Sequence, residues 1–280
     1  SARGAPVERR YKGKKSELIA LQTTRLRLSD RITAEELAFV RQFGTEDSVK
    51  MAQREIRDRW TGPNGLRDDI ELTKERHRLG AIQGKVMDAD DTVIYDYYDK
   101  FGITEPSSIV FDFRTLTDGN ARRFVQEQIV RPMGKKAKGA RYSAIYAECG
   151  AGFFDELMGS AEIRKTYENY SAAAELREGY DGKTFPFGGV IWSEYSGTDD
   201  GEVGIADNEV KFYPGGTDNN VFQEIRSPGE SFDELGQRGK EWYSSLVKDN
   251  DRNEWVEVDV ASYPLFLCTR PEMLRTGTHA

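Results

Sequence analysis

The chain has 280 residues, of which 38% are hydrophobic and 31% are charged, and its formal net charge is −8. This length suffices for one large domain or two modest ones, and the high charged fraction indicates much solvated or interface surface. No apolar run approaches the roughly 20 residues that a membrane-spanning helix needs, so we expect no membrane contact. The first residues are too basic and polar for a signal peptide.

The first 31 residues differ sharply in charge from the rest of the chain. They hold nine basic residues against three acidic ones, a net charge of +6, so with −8 overall the remainder carries −14. A basic arm on an acidic body favours self-association or nucleic-acid contact over the alternative of a solvated tail. Within residues 17–28, Leu26 and Leu28 alternate with Arg25 and Arg27, which predicts a strand with one wet face.

Two helices are predicted next. Thr33–Glu36 (Thr-Ala-Glu-Glu) has the pattern of a capping box, and the helix that it begins should end at Gly44. A second helix should begin after Asp47 or Ser48 and bury Trp60.

A long charged helix is predicted at about residues 65–80. Asn64 is its expected N-cap, and a thin stripe of Leu66, Ile70, Thr73, His77 and Ala81 is its expected buried side. Most other positions are charged, so this helix should lie across a sheet on one narrow side. The opposite side should present its charges to a partner other than that sheet.

A hairpin with an acidic turn follows this helix. Its strands are residues 84–87 and 92–98, and the turn contains Asp88, Asp90 and Asp91. We expect a solvated turn, because a calcium loop would need glycine where Val93 stands and glutamate where Asp99 stands. The alternative is a metal-assisted hydrolase built on Asp88, Asp90 and Asp91.

The remaining elements are predicted from periodicity and turn residues. They are a strand over 109–116, a helix from Gly119 to Arg131 capped by Asp118 and stopped by Pro132, a lysine- and glycine-rich linker over 134–139, a strand over 142–148, a helix capped by Ser160, a strand over 190–195, an exposed acidic loop over 197–207, a helix over 231–246, and one or two strands over 255–268.

Residues for catalysis or cofactor binding are sparse. His77 and His279 are not in a nucleophile pattern with Ser or Cys, and no dinucleotide-binding Gly motif or P-loop lysine is present. Cys149 and Cys268 lie among apolar residues, which is typical of buried free thiols. We therefore expect no enzymatic activity and no cofactor.

A series of short motifs carries a family resemblance through its order and spacing. The motifs are RGAP at 3–6, TAEEL at 33–37, RQFGTE at 41–46, GAIQG at 80–84, DKFG at 99–102, FPFGG at 185–189, FYPGG at 212–216 and SYPLFLCTRPEML at 262–274. In these features the chain resembles the lambda-like major capsid proteins of tailed bacteriophages, the capsid protein E family. The resemblance implies an α+β fold of the Hong Kong 97 type and, in this family, a further segment before residue 1.

The resemblance also implies a domain organisation. Residues 1–32 would form the extended loop or basic arm, and 33–134 a peripheral domain whose spine helix is the helix at 65–80. Residues 135–250 would form an axial domain, with 251–280 as closing strands.

The function implied by the resemblance is self-assembly into pentamers and hexamers that form an icosahedral head around double-stranded DNA. The protein would be found in the virion, and in the host cytoplasm during assembly, with decoration, portal and scaffold proteins as further partners. An encapsulin-type compartment shell is a related alternative. The expected intersubunit contacts are Arg9, Arg10, Lys12, Lys14, Lys15, Glu71, Glu75 and Arg78, and the expected capsomer-axis loop holds Asp199, Asp200 and Glu202.

Overall fold

A computed structural model describes residues 19–36, 48–88, 90, 92–113, 119–174, 184–198, 203–217 and 221–279. The helices are α1 (Ser48–Thr61), α2 (Leu66–Gln83), α3 (Tyr97–Lys100), α4 (Asn120–Val125), α5 (Arg131–Lys136), α6 (Ala151–Gly159) and α7 (Ala161–Ala174). The strands are β1 (Leu26–Thr33), β2 (Lys85–Met87), β3 (Val93–Asp96), β4 (Ile109–Phe111), β5 (Ala144–Cys149), β6 (Thr184–Phe187), β7 (Val190–Glu194), β8 (Glu209–Gly215), β9 (Phe222–Arg226), β10 (Tyr243–Lys248), β11 (Trp255–Ser262), β12 (Pro264–Cys268) and β13 (Arg275–His279).

One packing unit is built around α2. The antiparallel sheet β1-β11-β10 and the strand pair β9-β12 lie against this helix, and Ile70 packs with Leu26 and Val260 beneath it. Trp60 of α1 is partly buried at the edge of the same cluster, which confirms the prediction of a core-facing side chain. The strand predicted near Leu28 begins at Leu26, but Leu28 itself is exposed.

The second packing unit is a six-stranded sheet in the order β4-β13-β8-β5-β7-β6. Its core is aromatic. Phe111, Phe153 and Phe212 surround Trp192, whose ring makes an edge-to-face contact with Phe212 at a centroid distance of 5.4 Å. Aromatic pairs of this geometry add to the stabilisation that burial alone provides.

The helix predicted to stop at Pro132 continues to Lys136. A π-helical turn, Gln126–Val130, separates α4 from α5, so Pro132 occupies the first turn of a new helical segment. The missing N–H of proline costs little at that position. The predicted break between residues 134 and 135 therefore falls inside a helix, and that helix packs on the six-stranded sheet through Ile129 and Met133.

The prediction of a helix over residues 231–246 is wrong. Residues 232–236 form turns, with Gly236 at φ 81°, residues 237–242 have no regular secondary structure, and Tyr243–Lys248 is a strand paired with β11. The sequence lacks a continuous helical apolar stripe there, so pairing with β11 determines the structure. The acidic loop prediction is also corrected in part, because Val203 and Ile205 are buried.

Two helix caps in the structure also differ from those predicted from the sequence. Asn64 has φ 59°, and Gly65 is the residue that precedes α2. Asp118 lies outside the described residues, and Glu162 accepts hydrogen bonds from the N–H groups of Gly119 and Ala121 at the start of α4. The Thr33–Glu36 capping box is confirmed by reciprocal hydrogen bonds of 3.4 and 3.3 Å.

Candidate functional site

The long helix α2 occupies the predicted position and extends to Gln83. Asp68 and Asp69 lie in its first turn, where the helix dipole favours negative charge. Gly84 ends it at φ 85°, and a Cβ there would lie 2.5 Å from the ring of Tyr98. Glycine is therefore required where the helix turns directly into β2.

Lys74 and Leu79 are buried on this helix although both lie off the predicted stripe. The side chain of Lys74 is only 1% exposed, and its ammonium lies 3.5 Å from the centroid of the Trp242 ring and 3.2 Å from Glu71 Oε1. Burial lowers the pKa of Lys74, while the hydrogen bond to Glu71 raises it. The signal was present: Ile70, Lys74, His77 and Ala81 follow a four-three-four spacing, the regular buried stripe of a helix.

The predicted contact residues Glu71, Glu75 and Arg78 form one network on the side of α2. Arg78 lies 3.2 Å from Glu75 and 3.6 Å from Glu71, and Tyr195 donates a hydrogen bond to Glu75 at 3.3 Å. Their side chains remain between 36% and 42% exposed. The helix therefore presents a charged ridge that is internally paired and still open to solvent.

An apolar groove runs beside this ridge. It has a volume of about 240 Å³, and Ile82, Phe222, Phe266 and Leu267 line it. The guanidinium of Arg78 lies 5.1 Å from the centroid of the Phe266 ring at the groove wall. Charged and apolar surface are thus adjacent here, as is common at protein interfaces.

His77 lies inside the buried stripe of α2. It is 1% exposed, and its Nε2 has no hydrogen-bond partner among the described residues. Burial lowers the pKa of His77, with a smaller opposing effect from the charge of Asp88. The imidazole is therefore neutral near neutral pH and acts as a packing group against Phe266.

The acidic hairpin has the features of a turn. Asp90 accepts hydrogen bonds from the N–H and hydroxyl of Thr92 at 3.1 and 2.6 Å, and these bonds lower its pKa. Asp96 accepts from Tyr98 N and Asp99 N and so caps α3. Among the described residues, which leave out Asp91, no group of three or more His, Cys, Asp or Glu is arranged to hold a metal ion.

Several predicted site residues lie outside the described part of the chain. They are Arg9, Arg10, Lys12, Lys14, Lys15, Asp199, Asp200 and Glu202. The acidic segment is flanked by Thr198 and Val203, and Thr198 N donates to Val203 O at 2.9 Å. No helix among the described residues is long and apolar enough to cross a membrane.

Comparison with known proteins identifies the family. A family model described as phage major capsid protein E matches residues 1–279. The major capsid protein of Salmonella phage Felix O1 (isolate Felix O1-VT1) is 26% identical over 285 residues, covering 88% of this chain and 73% of that protein.

Comparison with solved structures confirms the fold. A crystal structure assigned to a prophage capsid protein of E. coli CFT073 matches with a TM-score of 0.55 at 11% identity, covering 92% of this chain and 77% of that one. The predicted α+β capsid fold of tailed phages is therefore correct. The chain belongs to the phage major capsid protein E family and is a structural, shell-forming component of the virion.

Proposed function

We propose that the chain assembles into pentamers and hexamers that tile an icosahedral head around double-stranded DNA. The observation that carries this proposal is the family match over residues 1–279, supported by the fold. A shell of this kind needs several distinct contacts per subunit. Each contact must be weak enough for a wrongly placed subunit to dissociate, and the contacts together must be strong enough to hold the shell.

The two packing units support a revised assignment of the domains. The six-stranded sheet joins residues 109–111, 144–149, 184–194 and 209–215 with the C-terminal strand β13, and we assign it to the axial domain. The unit around α2 joins β1 with β9–β12, and we assign it to the peripheral domain with α2 as the spine helix. The chain thus crosses between the two units more often than the expected division at residues 134 and 250 implies.

The basic arm of one subunit is proposed to contact the ridge on α2 of a neighbour. Glu71 and Glu75 are partly exposed on this ridge, and Glu224 lines the adjacent groove. Arg9, Arg10, Lys12, Lys14 and Lys15 supply the complementary charge. Attraction of this kind steers association and weakens as salt is added.

The acidic segment with Asp199, Asp200 and Glu202 is proposed to lie near the five- and six-fold axes of the capsomers. Like charges repeated around such an axis repel each other by roughly 1 kcal/mol or less per solvated pair. The acidic body of the chain also suits a container, because a strongly basic lining would hold the phosphates of packaged DNA to the wall. Decoration, portal and scaffold proteins are the further partners that we propose.

Size-exclusion chromatography with light scattering tests the proposal. A capsid protein elutes as capsomers or shells, whereas an enzyme built on the acidic hairpin would elute as a monomer or small oligomer. The nucleic-acid content of particles formed in cells then separates a DNA container from an encapsulin-type shell, which would hold cargo protein. Elution as a monomer under all assembly conditions contradicts the proposal.

A further inference from the structure

The segment 119–141 is a second strongly basic part of the chain. It holds α4, the π-helical turn and α5, and it carries seven basic residues against one acidic residue, a net charge of +6. Because the first 31 residues also carry +6 and the whole chain carries −8, all other residues together carry −20. We call the exposed basic side chains of this segment the basic strip, and they are Arg122, Arg123, Arg131, Lys135, Lys136, Lys138 and Arg141.

The helix turns the basic strip away from the core. Every fourth residue is buried against the six-stranded sheet, in a row formed by Ala121, Val125, Ile129 and Met133. Arg123, Arg131 and Lys135 each stand two positions after a member of that row, about half a helical turn away. The side chains of Arg123 and Arg131 are accordingly 73% and 64% exposed. The basic strip is therefore open to a partner.

The chain neutralises only part of this charge. Arg123 and Arg131 share one carboxylate, that of Glu127, at 3.4 and 3.9 Å. Lys138 lies 2.8 Å from Glu272. Within the described part of the chain, no ion pair is made by Arg122, Lys135, Lys136 and Arg141. The basic strip thus keeps a positive charge that only another molecule can neutralise.

A stretch of opposite charge begins and ends at one end of the six-stranded sheet. Residues 194–209, which we call the acidic stretch, contain six acidic residues and no basic one, a net charge of −6. Cys149, the last residue of β5, lies opposite Glu194 in the parallel pairing with β7. The next residue, Gly150, donates its N–H to Glu209 O at 2.9 Å. Both ends of the acidic stretch therefore lie where β5 ends.

The basic strip lies where β5 begins. Gln126 Nε2 donates a hydrogen bond to Gly188 O in the turn that precedes β7, and Arg141 stands three positions before Ala144, the first residue of β5. The six residues of β5 extend over about 17 Å. The ends of the acidic stretch and the basic strip are therefore held apart by the length of the sheet within one subunit.

We propose that the basic strip of one subunit binds the acidic stretch of a second subunit. The two carry equal and opposite charge, and their places at opposite ends of a sheet let each subunit contact one neighbour through each. Head-to-tail contacts of this kind form a ring when the rotation between subunits closes. The inference rests on the proposed assembly into pentamers and hexamers, and it names an attraction that offsets the repulsion among acidic segments near the capsomer axes.

Double-stranded DNA is the other polyanion that a basic strip could bind, and it fits less well. The helical residues 120–136 extend over about 25 Å, a length along which DNA carries about 15 negative charges. The net charge of +6 falls well short of this number and equals that of the acidic stretch in size. Covering the strip with a neighbouring subunit would also remove a basic surface that could hold packaged DNA.

Charge exchange tests the contact. A strip-reversed variant carries Arg123→Glu, Arg131→Glu and Lys135→Glu, three exposed positions whose replacement should leave circular dichroism and thermal unfolding of the unassembled subunit unchanged. Its critical concentration for assembly should rise about tenfold or more, because attraction becomes repulsion. An unchanged critical concentration, with less DNA retained in particles, would show that the strip binds DNA and overturn the proposal.

A second set of substitutions should restore assembly of the strip-reversed variant. The combined variant adds Asp199→Lys, Asp200→Lys and Glu202→Lys; Asp207 is kept because it accepts a hydrogen bond from Gly152 N. The control adds instead three reversals at exposed positions of α6 and α7, namely Asp155→Lys, Glu156→Lys and Glu168→Lys. Both keep the net charge of −8, and only the combined variant should assemble near the wild-type critical concentration. Equal assembly of the two overturns the proposal.

Carbodiimide crosslinking tests the contact in the wild-type chain. The reagent joins a lysine Nζ to a carboxylate as an amide and takes up the water released. In particles assembled from equal amounts of ¹⁴N- and ¹⁵N-labelled subunits, we expect mixed-isotope links between Lys135 or Lys136 and residues 194–209. The Lys138–Glu272 pair, 2.8 Å apart in one subunit, is the positive control.

The outcomes of crosslinking separate this contact from the proposed function. Particles that show the Lys138–Glu272 link without any mixed-isotope link to residues 194–209 overturn the contact and leave shell assembly standing. Wild-type protein that forms no particles under any assembly condition contradicts the proposed function itself, and this contact with it.

Discussion

The ammonium of Lys74 lies 3.5 Å from the centroid of the Trp242 ring, so a buried cation–π contact joins α2 to the segment that leads into β10. Glu71 supplies the counter-charge at 3.2 Å. A buried ammonium needs such partners, because desolvation of an unpaired charge costs more than packing returns. The helix is thus fixed to the neighbouring sheet by a charge as well as by its apolar stripe.

Glu71→Ala should destabilise the unassembled subunit by about 1–3 kcal/mol, because it leaves the buried Lys74 ammonium without its carboxylate. Glu75→Ala removes a carboxylate of similar exposure whose partners, Arg78 and Tyr195, are themselves partly exposed. Its cost should stay below about 1 kcal/mol. Urea unfolding of both variants measures the difference, and equal losses would show that Lys74 does not depend on Glu71.

Because His77 is buried, we expect the subunit to lose stability in acid. Because burial lowers its pKa below 6.5, the unfolded chain binds a proton that the folded chain resists. The free energy of unfolding should therefore fall as pH drops below 6.5 and level off once the folded imidazole is also protonated. His77→Phe keeps an aromatic ring against Phe266 and should flatten this dependence. Parallel pH profiles for the variant and wild type would refute the prediction.

The FPFGG motif should be sensitive to a single methyl group at Gly188. Its φ is 64°, and a Cβ there would lie 2.8 Å from Val125 Cγ1 of α4. Gly102 has a φ of 60° with open space around a Cβ, so it is a matched control. Gly102→Ala should cost about 1–2 kcal/mol from backbone strain alone. Gly188→Ala should cost roughly 1–3 kcal/mol more from overpacking, measured by thermal unfolding. Equal costs would mean that this packing does not restrict residue 188.

Reversing the arm charges should block assembly without unfolding the subunit. Replacing Arg9, Arg10, Lys12, Lys14 and Lys15 with Glu removes the charge that is complementary to Glu71 and Glu75 of the charged ridge, while circular dichroism should remain that of wild type. The charge-preserving pair Arg9→Lys and Arg10→Lys is the control and should assemble. Normal shells from the reversed arm would exclude a role for its charge.

Local sequence patterns predicted the parts of this fold that depend on local chemistry. The capping box at Thr33, the long helix α2 and the acidic hairpin each follow from residues close in sequence. The family resemblance rested on motif order, and the family match confirms it.

The errors come from interactions between distant residues. Lys74 was assigned to the charged face because its partner Trp242 is 168 positions away in sequence. Pro132 was expected to end a helix, and the π-helical turn before it, packed on the six-stranded sheet, allows the helix to continue. Likewise, residues 243–248 form a strand because β11 is available to pair with them.

Electron microscopy of the purified full chain shows directly whether the protein forms a shell. We expect closed particles of uniform diameter, with five- and six-fold capsomers in averaged images. Particles formed in infected or expressing cells and treated with nuclease should retain protected double-stranded DNA only when the packaging proteins are present. Protein that remains monomeric, or that forms only irregular aggregates under all conditions in which the subunit is folded, would contradict assembly into an icosahedral shell.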